Sequence, residues 1–385
     1  MAILVAAGVV GALHVGKVPP ALPFLRADLG VSGLTAAWVL SIFAAMGAAV
    51  SVPFGAFADR IGHRRIVIGA MAGIAAASAA GAASANVAEL LIARVVEGFG
   101  FLAMAVAIPP LIALRTRPHD RRVALGLWSA YMPIGVATSF FVSPFVLGSV
   151  GWRGVWLADA FLAALAAAAV AAFVAPSPRR APAAARFGAG VRTVIAARSP
   201  FYAGVAFGAY AASYFAIAGF MPVILLAAGA GVAVAGGISA VAALINGFGN
   251  LAGSIAARRV PRATIMIAGA SVLGAGGAAF YLTGLPLWLR VACVTIALLF
   301  GGMVPGIVAG TLTTISPAPS LNGTTQGVLQ QCSSIGQLVG PPAIALAAAE
   351  RGGTSGAFVV LALAAIGIAA ATLLERSVRA RAPAA

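Results

Sequence analysis

Acidic side chains are scarce in this 385-residue chain: eight Asp and Glu stand against 24 Lys and Arg, and charged residues of both signs make up only 8% of it. With 62% of residues hydrophobic, that shortage excludes a water-soluble fold, which could not hide so much apolar surface. Cysteine is rarer still. Cys293 and Cys332 both fall inside apolar runs, so a structural disulfide is not expected and each reads as a small buried hydrophobe. There are three histidines, no His-Glu-x-x-His and no His/Asp/Glu cluster, so neither an intramembrane metalloenzyme nor a bound metal is expected. A P-loop and a dinucleotide fingerprint are also missing, so no cofactor is expected, and any work the protein does should be driven by an ion gradient.

What is present instead is a series of apolar runs of the length that crosses a hydrocarbon layer about 30 Å thick. They predict helices near 2–25, 34–57, 66–85, 88–114, 123–148, 154–175, 200–227, 232–256, 263–283, 287–313, 323–348 and 354–375. The first is followed by Arg26-Ala27-Asp28 rather than a small-residue cleavage site, so it is expected to be a retained span and not a signal peptide. The fold class is therefore an all-α membrane protein with twelve transmembrane helices.

The net charge of +16 is explained by where the cations sit. With the N-terminus inside, eighteen arginines fall in cytoplasmic breaks, only Arg26, Arg153, Arg290 and Arg351 fall outside, and Lys17 and Arg94 lie within spans. That is the positive-inside pattern, with both termini cytoplasmic in an inner membrane, and not the footprint of a nucleic-acid partner.

Residues 176–199, rich in Pro, Ala and Arg and without an acidic residue, read as a cytoplasmic linker between an N-terminal six-helix bundle (1–175) and a C-terminal one (200–385). Gly55 to Arg60 after the second span is echoed by Gly253 to Arg258 after the eighth. Pro23 and Pro222 correspond, as do the spacings Gly126/Gly135 and Gly327/Gly336. Such echoes predict two pseudo-symmetric halves, the architecture of secondary transporters.

The stretch GAFADRIGHRR (55–65) resembles the loop 2–3 signature of the major facilitator superfamily, with Phe57 at its Leu position and His63 at a basic one. Arg94-Val-Val-Glu-Gly98 is similar to that family's fourth-helix motif, and GWRGVW (151–156) to its helix 5–6 junction. FGGMVPG (300–306) and the polar 323–342 segment resemble a bacterial branch of cyanate-permease-like small-solute porters. The resemblance implies alternating access, and a cytoplasmic gate made by Gly55, Asp59, Arg60, Gly62 and Arg64. The two glycines allow a tight turn and close helix approach, and Asp59 can bond to backbone N–H groups or arginines in one transport state. The plainer alternative is that the arginines anchor a short loop at lipid headgroups.

Ionisable groups within hydrocarbon normally face a cavity or a partner. His14 and Lys17 share one face of the first span, and Arg94 and Glu97 one face of the fourth. Since helices 1, 4, 7 and 10 line the path in the family, Lys17 and Arg94 become candidates to bind an anion across a cavity. Glu97 and His14 become candidate proton carriers. The alternatives are an Arg94–Glu97 salt bridge that only holds the helix, and a simply hydrogen-bonded histidine. Tyr131 and Tyr214 are candidate aromatic contacts for substrate, with ordinary packing as the alternative. Gln330 belongs to a polar stripe with Gln326, Ser333 and Gln337, and is assigned to the cavity, with Gln337 as interhelical glue. Asn246 and Asn250 read as an interhelical pair.

The family's antiporter signature in the fifth helix is degraded here to GVATSFFVSP (135–144), which points away from drug/proton antiport. The leading expectation is a monomeric transporter of a small organic or inorganic anion, possibly proton-coupled, with a solute, an ion gradient and the bilayer as its partners. The alternatives are a proton-driven exporter of hydrophobic or cationic compounds, and a non-transporting membrane receptor with the same fold.

Overall fold

The computed structural model describes residues 1–117, 128, 130–175, 187–257, 259–318 and 321–380, with the side chains of 55–60 also outside the description. The described chain runs through α1 (Ala2–Gly16), α2 (Val18–Leu29), α3 (Gly33–Ser41), α4 (Ala45–Ile61), α5 (His63–Ala82), α6 (Val87–Arg115), α7 (Tyr131–Phe173), α8 (Phe187–Ala196), α9 (Ser199–Ala227), α10 (Val232–Ala256), α11 (Arg262–Tyr281), α12 (Leu287–Ile315), α13 (Asn322–Arg351) and α14 (Gly356–Arg379). No strand occurs among the described residues. Among the described residues eleven helical stretches are long and apolar enough to span a bilayer, and one of them, α7, joins two helices across a kink. Gly151, at φ 69° and ψ −174°, breaks it where the sequence predicts the turn between the fifth and sixth helices. A side chain would be strained at that φ.

Local chemistry accounts for the other breaks. Pro19 and Pro20 bring no N–H to the ladder, so the first span is interrupted at Lys17, between α1 and α2. Gly62, at φ 96°, separates α4 from α5. The start of α6 is a reciprocal cap: the Glu89 N–H donates to Asn86 Oδ1 at 3.0 Å, while the Ala85 N–H donates to Glu89 Oε2 at 2.8 Å. Helix α8, within the linker, is not foreseen by the apolar pattern.

The chain clusters into two compact units. The first comprises residues 1–47, 54–183 and 218–244, the second 48–53, 184–217 and 245–385. In the first, α1 packs on α7 through glycines: a Cβ on Gly16 would meet Ser139 Cβ at 2.7 Å, and one on Gly135 would collide with Ala12. A Cβ on Gly98 would overlap the Phe43 carbonyl. Backbone approach of this kind replaces the missing hydrophobic driving force between helices in lipid. At one end of this unit Asp28 accepts hydrogen bonds from the Trp152 indole (2.9 Å) and from Arg153, whose other nitrogen donates to the Ser84 carbonyl at 3.1 Å. At the other end, Arg64 and Arg115 donate to carbonyls at the C-terminus of α7, Ala171, Val174 and Ala175, orphan acceptors that a helix end must satisfy.

The second unit repeats the device. Gly249 and Gly302 admit α12 against α10, and Gly336 admits α13 against α9. Asn246 Nδ2 donates to the Leu298 carbonyl at 2.9 Å and its Oδ1 accepts from the Tyr210 hydroxyl at 2.9 Å. Asn246 therefore bonds to α9 and α12, not to Asn250.

Candidate functional site

The first unit holds a cluster of ionisable side chains with almost no access to solvent: His14, Lys17 and Glu97 are 0% exposed, Arg94 1% and Asp159 7%. Lys17 sits at the proline-made joint of the first span. Its ammonium has three protons and three acceptors, Glu97 Oε1 at 2.6 Å, Ser78 Oγ at 2.7 Å and His14 Nδ1 at 3.0 Å. Ser78 passes its own proton to the Trp156 carbonyl at 2.8 Å, and the ammonium lies 4.5 Å from the centre of the Trp156 ring, a cation–π contact.

Arg94 completes the arrangement from the other side of Glu97. Its Nη1 donates to Glu97 Oε2, one helical turn away, and to the His14 carbonyl at 2.8 Å. That carbonyl belongs to the stretch of α1 just before the proline break. The guanidinium lies 4.5 Å from the centre of the Phe43 ring, on the residue that Gly98 admits. The motif Arg-x-x-Glu-Gly is thus used twice: the charged pair fills the cluster, and the glycine lets Phe43 close over it.

Both oxygens of Glu97 are therefore engaged by cations. His14 Nδ1 lies 3.0 Å from the Lys17 ammonium and 3.3 Å from Glu97 Oε1, so it accepts from Lys17 in one tautomer and donates to Glu97 in the other. Asp159, on α7, lies within Coulombic range of His14, Lys17, Arg94 and Glu97. Counting Lys17 and Arg94 against Glu97 and Asp159, the cluster holds as many carboxyls as cations. That balance is what makes burial of charge tolerable in a medium where an unpaired ion costs several kcal/mol.

Sequence reasoning places His14, Lys17, Arg94 and Glu97 on matching faces, and the structure brings these four together. The difference lies in what they face: Lys17 and Arg94 do not look at one another across an open space but converge on one carboxylate, the salt-bridge alternative extended to a second cation. Asp159 and Ser78 were missed. Their signal was available, since Asp159 is one of eight acidic residues and lies inside an apolar run.

Tyr131 stacks on Trp128, with ring centres 4.1 Å apart, and lies 6.4 Å from Phe101, which packs in turn on Phe43 at 5.2 Å. An aromatic row therefore leads from Tyr131 to the Arg94 guanidinium. Tyr214 and Gln330 belong to the second unit: Tyr214 is buried and stacks on Tyr210 at 5.9 Å, and Gln330 is half-buried on α13. Gln337 donates to Ser333 Oγ at 3.3 Å within its own helix. Of the expected gate, Gly62 forms the α4–α5 turn and Arg64 caps α7, while the side chains of Gly55, Asp59 and Arg60 lie outside the described residues.

A twelve-span, two-half helical chain with this fourth-helix motif points to one class of protein, and the comparisons with known families agree. The Major Facilitator Superfamily model matches residues 4–341, and the chain belongs to that superfamily as a multi-pass membrane protein. The fold is shared with a crystal structure of a bacterial homologue of the human lysosomal transporter Spinster, in an inward-facing and occupied conformation, at a TM-score of 0.77 and 17% identity over 98% of this chain and 96% of that one. Among curated relatives, the multidrug efflux pump LfrA of Mycolicibacterium smegmatis is 33% identical over 139 residues, 36% of this chain and 27% of LfrA. The puromycin resistance protein pur8 of Streptomyces alboniger is 31% identical over 147 residues, 38% of this chain and 29% of pur8. The chain thus spans less than a third of the length of either relative.

Proposed function

We propose that this protein is a secondary transporter that exports hydrophobic, cationic organic compounds in exchange for protons. The observation that carries this reading is the convergence of Lys17 and Arg94 on Glu97. The two positive groups that argue for an anionic substrate are already neutralised inside the protein, with Asp159 as a second counter-charge. A buried site without surplus positive charge offers an anion nothing that offsets its desolvation. The similarity to a multidrug efflux pump and an antibiotic resistance protein supports the same direction and outweighs the degraded signature at 135–144. On this reading the six-helix halves 1–175 and 200–385 alternate about the linker 176–199, the termini face the cytoplasm of an inner membrane, and Tyr131 supplies an aromatic face for a planar solute.

The test is transport in proteoliposomes with ethidium, a planar lipophilic cation, as probe. A pH gradient should drive ethidium across the membrane against its own gradient, and nigericin should abolish the movement. Uptake of benzoate or cyanate driven by the same gradient, with ethidium unmoved, would restore the anion reading in place of this one.

A further inference from the structure

We infer that Asp159 is the proton-binding carboxyl of the first unit, a role that rests on the proton-coupled reading above. Two carboxyls share the buried cluster, and their surroundings differ. Glu97 has cations on both oxygens: Lys17 on one and Arg94 on the other. A proton arriving there would have to displace one of them and leave a buried cation without its contact, a change that is strongly unfavourable. Asp159 is 7% exposed, and among the described residues no cation lies within salt-bridge distance of it. Its Oδ2 is buried and accepts no hydrogen bond. It is the carboxyl of the cluster that can gain a proton without breaking any contact.

The same cluster also holds unmatched donors. His14 Nε2, Arg94 Nε and Trp156 Nε1 are buried without acceptors, and Trp156 precedes Asp159 by one turn of α7. One buried acceptor and three buried donors are therefore left without partners, in a protein class where such groups are normally paired. The titratable and charged groups facing Asp159 are His14 and Lys17 from the first span and Arg94 and Glu97 from α6. With Asp159 ionised these balance as two cations and two anions; with Asp159 protonated the cluster carries one net positive charge. Proton uptake at Asp159 thus changes the charge of the unit at the place where the first span, α5, α6 and α7 are tied together by Lys17.

The test reads the proton directly, without a substrate. Infrared difference spectra of the purified full chain, taken between acidic and alkaline buffer, should show a protonated-carboxyl C=O band that moves when aspartate is carbon-13 labelled. It should be lost in Asp159→Asn and displaced in Asp159→Glu. A band unmoved by labelling, or one kept in full by Asp159→Asn, overturns the assignment. Should Asp159→Asn fail to fold, the labelled wild type together with Asp159→Glu decides it alone. In proteoliposomes, Asp159→Asn should lose the ethidium movement driven by the pH gradient, and driven movement kept in full would overturn the assignment. A wild type that moves no ethidium on a pH gradient refutes the export reading, while the infrared result still judges Asp159.

Discussion

Glu97 carries the pairing of both cations, so Glu97→Gln should lower stability more than a change at either partner. It leaves Lys17 and Arg94 with Asp159 as their only counter-charge, and breaking a buried pair typically costs about 3–5 kcal/mol. The expected outcome is a marked fall in the melting temperature in detergent, with a smaller fall for Arg94→Lys, which keeps the charge but loses the planar fork that reaches both the carboxylate and the His14 carbonyl. An unchanged melting temperature for Glu97→Gln would contradict the geometry. At this scale the sequence showed which residues are out of place in hydrocarbon but not which of them touch. Helical spacing puts Arg94 beside Glu97; no spacing rule can say that Lys17, 80 positions away, reaches the same carboxylate. Asp159 was passed over because it has no charged neighbour at helical spacing, and its partners come from other helices.

Helices of this chain are set by prolines, glycines and caps more than by propensity, and that made them readable. The apolar runs place the described span ends to within a few residues, the expected start of the fifth span at 123 lying outside the described residues, and Gly62 and Gly151 mark the turns. What they could not show is which glycine faces which backbone. Gly98→Ala should force Phe43 away from the Arg94 guanidinium, because its Cβ would overlap the Phe43 carbonyl. Gly69→Ala, where a Cβ would meet nothing within 4 Å, should be silent by comparison. Their relative melting temperatures check this, and equal values would refute it. Gly62→Ala should cost roughly 1–2 kcal/mol through its left-handed φ alone. Arg64→Ala should leave the Ala171 and Val174 carbonyls without their donor, seen as faster hydrogen exchange over the last turn of α7, with exchange in the middle of α7 unaltered.

The distribution of arginine along the whole chain is its most legible property, because orientation in a membrane depends on the count of cations per break and not on any contact. Single cysteines introduced at Arg117 and Gly284 into a chain lacking Cys293 and Cys332 should be labelled by an impermeant thiol reagent from opposite sides, Gly284 from the outside of intact cells. Labelling of both from one side would overturn the orientation. Solute identity was illegible for the opposite reason. It depends on the net charge left over after internal pairing, and pairing is a property of the folded molecule. Helical spacing offered both an anion site and an Arg94–Glu97 pair, and only the folded chain shows Lys17 on the same carboxylate.

The first span loses ladder hydrogen bonds at its two prolines, and Lys17, the side chain beside that gap, is fastened by Glu97, Ser78 and His14. A joint whose pin is bolted to the frame turns about that pin and cannot drift. The segment beyond the prolines packs its buried face on the neighbouring helices, through Val18, Ala21, Leu22 and Leu25. Loosening the bolt, by adding or withdrawing a proton next to it, would be felt first at the hinge.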